Sequence, residues 1–471
     1  MVVGFIGCTK VPDKLYHPIC SLTMDCSEKQ LDKVISYRNN IYINPTGWGT
    51  CIRDKNHFST SKNLNLDNHT YCKENQIEDK LQTPYYQAWL EFNETGEHHD
   101  ENQIKAILRW IKAHKKNPLT IIVYIHGWHN NADNSNNDPR NNAVKFPFLM
   151  ARVVDNTERL ASYNQIEKQQ VLGIYVGWRG KACKSDVLDL LTIYGRSEIA
   201  NKIGQRGIIK KDFQRIAKEM GNKGHIMVIG HSLGGKILTS AFKSDLEHKR
   251  INQNSEFNTT APLGKNGLIV TLNPAVHADC YENIFKYQSN NLYNYNNPIT
   301  SRPYWVNVTS KNDNSTKEIY KWATLIHLVK GCKEQDYWRE DTIGHYKPYL
   351  YQVIEVDGTI LDTTKNNISH RYEMDWFLHP NPSKILIFPN RLYPNKKSKI
   401  VRVRFSLNGK DNEHIPPNAL KRKVWNVRTD GTLIDFGDEG GGGLVGHHSG
   451  YISTILTRLL IEMLFYKQKN S

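Results

Sequence analysis

Residues 225–238 read HIMVIGHSLGGKIL, and this stretch decides the fold. Its first half is a short, continuous apolar run with β-branched members, the mark of a strand buried on both faces. A helix is predicted over 233–243. Between the two, Ser232 stands in Gly230-His231-Ser232-Leu233-Gly234, with Gly235 following. That is G-x-S-x-G in the strand–turn–helix setting in which the pattern carries chemistry. A serine at so sharp a turn sits in strained backbone with its hydroxyl above the sheet. The glycines remove side chains that would strike the neighbouring strand and helix. The helix after Ser232 aims its free N–H groups and the positive end of its dipole at the same spot. Ser232 is therefore read as a nucleophile, and the Leu233 N–H as one donor of an oxyanion hole.

The same strand signature recurs on both sides of this turn. LTIIVYIHG (119–127), VLGIYVGW (171–178), LIVTLNP (268–274) and YWVNVTS (304–310) are all short apolar runs, and helical segments such as 142–161 and 210–220 lie between most of them. Strand alternating with helix predicts an α/β protein with a mostly parallel, doubly wound sheet. YYQAWLEFN (85–93) alternates like an edge strand, and a helix is expected over 101–116. Four regions follow. Residues 1–80 form an irregular arm rich in Asn and Cys, and 81–349 the α/β core. Residues 350–436 read as a β-rich insertion or subdomain, and 437–471 as a Gly-rich loop and a final amphipathic helix. The nucleophile needs a second oxyanion donor from a loop after a buried strand, and VYIHGWHNNA (123–132) supplies the Trp128 N–H. His126 is read as a loop-holding residue.

Composition narrows the function class. The 471 residues carry a net charge of +15, but the basic residues are scattered and no nucleic-acid-binding signature accompanies them. A solvated basic surface is the reading, and no nucleic-acid partner is expected. None of the eight cysteines forms a C-x-x-C pair, which argues against zinc. Five of them fall in the first 72 residues, a pattern that suits one or two disulfides in an oxidising compartment. MVVGFIGC (1–8) looks like the tail of a bacterial lipoprotein signal, but seven residues are too few for a charged and a hydrophobic region, so either the true start lies upstream, with Cys8 lipidated, or the match is accidental. Lipidation would place the chain at the bacterial envelope or in the periplasm, on a membrane surface through Cys8. The alternative is a cytoplasmic protein.

With IVYIHGW, GIYVGWRG, GHSLGG and VTLNPAVHA, the chain resembles the α/β-hydrolase superfamily, and more closely a group of bacterial α/β-hydrolase-like proteins that are often lipoproteins. The resemblance covers about 85–350, with a weaker echo at 444–466. It implies a triad in the order serine, carboxylate, histidine. Asp313, directly after YWVNVTS, is the expected acid, with Asp279 and Glu282 as alternatives. His447, just before the final helix, is the expected base, with His448 and His345 (TIGHYKPY) as alternatives. The implied reaction is cleavage of a carboxylic ester of a small molecule or lipid through an acyl-enzyme, with no metal or cofactor. The same residues permit thioester hydrolysis or acyl transfer, and a non-catalytic interaction protein on this scaffold is a third possibility.

Overall fold

The computed structural model describes residues 8–19, 31, 35–38, 41–43, 50–52, 81–82, 84–135, 141–162, 165–185, 189, 192–247, 261–285, 303–319, 341–346, 349–350, 352–362, 383–388, 398–407, 424–429 and 454–466. Among these the strands are β1 (Ser36–Arg38), β2 (Ile41–Ile43), β3 (Thr50–Ile52), β4 (Leu81–Gln82), β5 (Tyr85–Glu91), β6 (Leu119–Ile125), β7 (Gln170–Gly177), β8 (His225–His231), β9 (Gly267–Leu272), β10 (Trp305–Ser310), β11 (Gln352–Asp362), β12 (Ser383–Phe388), β13 (Ser398–Leu407) and β14 (Val424–Thr429). The α-helices are α1 (Glu101–His114), α2 (Asn142–Ser162), α3 (Ile193–Arg206), α4 (Ile208–Met220), α5 (Leu233–Glu247) and α6 (Thr454–Phe465).

Eleven strands form one sheet in the order β1-β5-β7-β6-β8-β9-β10-β14-β11-β13-β12. From β5 to β14 every neighbouring pair is parallel, seven strands in all. β11 joins β14 in parallel over three residue pairs, whereas β13 and β12 are antiparallel additions at that edge. The α/β class expected from strand–helix alternation is present. The strand order is not the usual one of the α/β-hydrolase superfamily.

Period-two alternation sorts the strand side chains onto two cores. Ile122, Tyr124, Met227 and Ile229 face one side, where α2 and α6 supply Phe146, Leu149, Leu456 and Leu460. Ile121, Val123, Ile226 and Val228 face the other, against Ile107 of α1, Ile203 of α3, Phe213 of α4 and Ile237 of α5. With both faces covered, β6 and β8 are buried along their whole length, which is why they read as unbroken apolar runs. Helix ends follow the usual chemistry. The Asp100 side chain accepts from the Asn102 N–H at the start of α1, and Gly207, at φ 77°, closes α3 in the left-handed region.

β14 extends the parallel core beside β10, and β11, β13 and β12 carry the same sheet onward. Two expectations are corrected. First, β5 is not an edge strand: it lies between β1 and β7, pairing in parallel with the latter. Second, Cys8 is disulfide-bonded to Cys183, 175 residues away, with 5.6 Å between their Cα atoms. A sulfur joined to another sulfur cannot also carry a thioether-linked lipid, so the bridge takes the atom that a lipid anchor at Cys8 would need. The bridge runs from arm to core. No helix among the described residues is long and apolar enough to cross a membrane.

Candidate functional site

Ser232 links β8 to α5 with φ 54°, one of three non-glycine residues with positive φ among the described residues. An L-residue adopts this conformation only when its surroundings over-determine it. Here they do. The Ser232 N–H donates to the Leu272 carbonyl at 3.0 Å, and the Ser232 carbonyl accepts from Ala275 N–H at 3.2 Å, so the turn is tied on both sides to the end of β9. The same carbonyl accepts from Gly235 N–H at 3.0 Å, opening α5. The elbow closes only because small residues meet there. A Cβ on Gly234 would lie 2.3 Å from the Ile125 carbonyl oxygen, and one on Gly230 2.6 Å from that of Gly234.

The loop after β6 lies directly against Ser232. A Cβ on Gly127 would stand 2.6 Å from Ser232 Cβ and 3.2 Å from its Oγ. Trp128 follows at once, half-buried, its ring 3.7 Å from that of His129. His126 is wholly buried. Its Nδ1–H donates to the Gly127 carbonyl at 2.8 Å, and Nε2 accepts the Trp178 N–H at 3.1 Å. Burial pushes its pKa down to about 4, so it is neutral near pH 7 and has no lone pair or proton to spare. It fastens the end of β7 to the loop of Trp128.

Asp313 lies beyond the end of β10, fully buried. Its carboxylate accepts from the Ser315 N–H at 3.1 Å, the Thr316 N–H at 3.3 Å and the Thr316 hydroxyl. That hydroxyl, having donated to Asp313, accepts from His345 Nε2–H at 3.2 Å. His345 thus reaches Asp313 through Thr316. Burial lowers the His345 pKa, opposed by the Asp313 charge. Asn273, at φ 44°, pins this corner: its Oδ1 accepts from the Ser310 N–H at 2.9 Å. His447 and His448 lie outside the described residues.

Two features were not read from the sequence. His277 and Asp279 form a buried pair, Nδ1 to Oδ1 2.7 Å, just past the end of β9. The signal was the H-x-D spacing in NPAVHAD, next to the alternative acid Asp279. The Ser232 elbow, this pair and Asp313 therefore follow the carboxyl ends of three adjacent strands, where open α/β sheets place their sites. Lys236, on the first turn of α5, donates to Ser197 Oγ at 2.6 Å. Desolvation lowers its pKa to about 8, opposed by the charges of Asp279 and Glu198. Among the described residues no cluster of three or more His, Cys, Asp or Glu is arranged to hold a metal ion. Comparison of the chain with protein-family models, with curated proteins and with solved structures finds no match.

Proposed function

We propose that the chain is a serine hydrolase of the α/β-hydrolase type that cleaves carboxylic esters through an acyl-enzyme on Ser232. The observation that carries this reading is the left-handed elbow at Ser232, with the Gly127 loop packed against its Oγ side. Strain of this kind is retained where it positions a reacting atom. On this reading His447, oriented by Asp313, takes the Ser232 proton as the hydroxyl attacks the ester carbonyl. The Leu233 and Trp128 N–H groups hold the oxyanion that forms. The imidazolium then protonates the leaving alcohol, and water, activated by the same histidine, releases the acid. Asp313 suits its role because it is buried and held by three donors while remaining an acceptor. His345, whose Nε2 is committed to the Thr316 hydroxyl, is the weaker base candidate. The Cys8–Cys183 bridge favours an oxidising compartment such as the bacterial envelope, reached without a lipid on Cys8.

The test is hydrolysis of short- and long-chain p-nitrophenyl esters. Ser232→Ala and His447→Ala should each lower kcat by about a thousandfold or more, while His345→Ala stays within a few-fold of the parent. Full turnover by Ser232→Ala would remove the reading.

A further inference from the structure

We propose that residues 8–19 are a strap that positions the Trp128 loop, with Tyr16 and His17 as its positioning residues. The inference rests on the reading of Trp128 as an oxyanion donor. The strap is tied at one end by Cys8–Cys183. Its next residues run along the segment after β7: Lys184 N–H donates to Thr9 O at 2.9 Å, Val11 N–H to Ala182 O at 2.8 Å, and Arg179 Nη1 to Val11 O at 2.9 Å. It then crosses the carboxyl ends of β5 and β7, the end of the sheet on which the Ser232 elbow sits, since all these strands are parallel.

At that crossing the strap grips the Trp128 loop. Asn131 Nδ2 donates to Tyr16 Oη at 3.2 Å, and His17 Nε2–H donates to the Ala132 carbonyl at 2.8 Å. The His17 ring stacks on Trp89 with centroids 3.7 Å apart. Below them the buried Glu91 carboxylate accepts the Tyr16 and His17 N–H groups, each at 2.8 Å, and Gln103 Nε2 at 3.2 Å. A carboxylate buried for the sake of two strap amides marks these residues as part of the core. On its other flank the loop leans on segment 178–183, where His129 N–H donates to the Gly180 carbonyl at 3.2 Å. The strap and that segment are themselves joined by the disulfide. Residues 128–132 are therefore held between two walls bolted together, and an oxyanion donor has to be held to a fraction of an ångström.

The experiment compares the parent protein with His17→Ala, His17→Gln, Tyr16→Phe and the double variant Cys8→Ser/Cys183→Ser. Amide hydrogen exchange and ester turnover are measured on each. His17→Ala and the double serine variant should exchange residues 128–132 about tenfold faster or more while β6 keeps its protection. Their kcat should fall about tenfold or more with KM changed less than about threefold, the pattern of a lost transition-state contact. His17→Gln, which can still donate to Ala132 O, should recover most of the loss, and Tyr16→Phe should cost only a few-fold. Unchanged exchange at 128–132 in His17→Ala and Tyr16→Phe overturns the proposal, including the case in which the double serine variant does not fold. Exchange does not depend on turnover. An inactive parent with a strap-dependent loop therefore counts against the hydrolase reading alone.

Discussion

Ser232 holds a side chain at φ 54°, where an L-residue is strained and glycine is not. Ser232→Gly should therefore abolish ester turnover yet raise stability by about 0.5–1 kcal/mol, read from the urea midpoint. A loss of stability would mean that the elbow is not strained. His126 makes a second residue-scale point. Its folded pKa of about 4 lies below its ordinary 6.5, so the unfolded chain binds the extra proton first. Its contribution is whole above pH 6.5 and is lost as the pH falls toward 4, by at most about 3 kcal/mol. His345, also lowered, adds in the same direction. Urea midpoints at pH 7.5, 6 and 4.5 should decline through that window, and a flat profile contradicts the assignment. The elbow was legible in the sequence because its chemistry is local: five consecutive residues carry it. The His277–Asp279 pair was not, because a histidine two positions from an aspartate has no fixed meaning until a strand end presents both.

At the scale of elements, α3 and α5 touch through Gly204. A Cβ there would stand 2.5 Å from the Ile237 carbonyl oxygen and 2.6 Å from Ser240 Cβ. Gly204→Ala should cost about 1–3 kcal/mol in thermal or urea unfolding, because two backbones must part to admit it. An unchanged midpoint would show that the helices slide freely. The buried parallel strands were readable to within a residue or two, since burial on both faces leaves an unbroken apolar run. β5 was misread as an edge strand because Gln87 and Glu91 break its apolar run. Both are nevertheless buried: Gln87 Oε1 accepts from Tyr85 Oη at 2.8 Å, and Glu91 serves the N-terminal strap. Polar spacing signals solvent only when no distant segment arrives to satisfy it, and period alone does not show that arrival. α3 went unseen for a related reason. IYGRSEIANKIGQR carries two glycines and a thin apolar stripe, and it is the sheet and α5 that make it a helix.

At the scale of the molecule, the sheet is completed by chain that returns from far away. β14 pairs with β10 across more than a hundred residues of sequence and aligns six consecutive residue pairs. Such a pairing leaves no mark in local pattern, and reading 350–436 as a β-rich insertion or subdomain gave no sign of it. The Cys8–Cys183 bridge is nonlocal in the same sense. Clustered cysteines pointed to one or two disulfides without naming partners, and the geometry joins the arm to the loop after β7. The parallel strands put the Ser232 elbow, the Trp128 loop and Asp313 at one end of the sheet, the disulfide-tied strap joins them there, and the proposed chemistry depends on that gathering. The most direct measurement is covalent labelling of the intact, oxidised chain with a fluorophosphonate, followed by peptide mass spectrometry. The account expects one stoichiometric adduct, on Ser232, lost in Ser232→Ala and slowed in His447→Ala. An unlabelled Ser232 in folded protein, or an adduct on another serine, would contradict it.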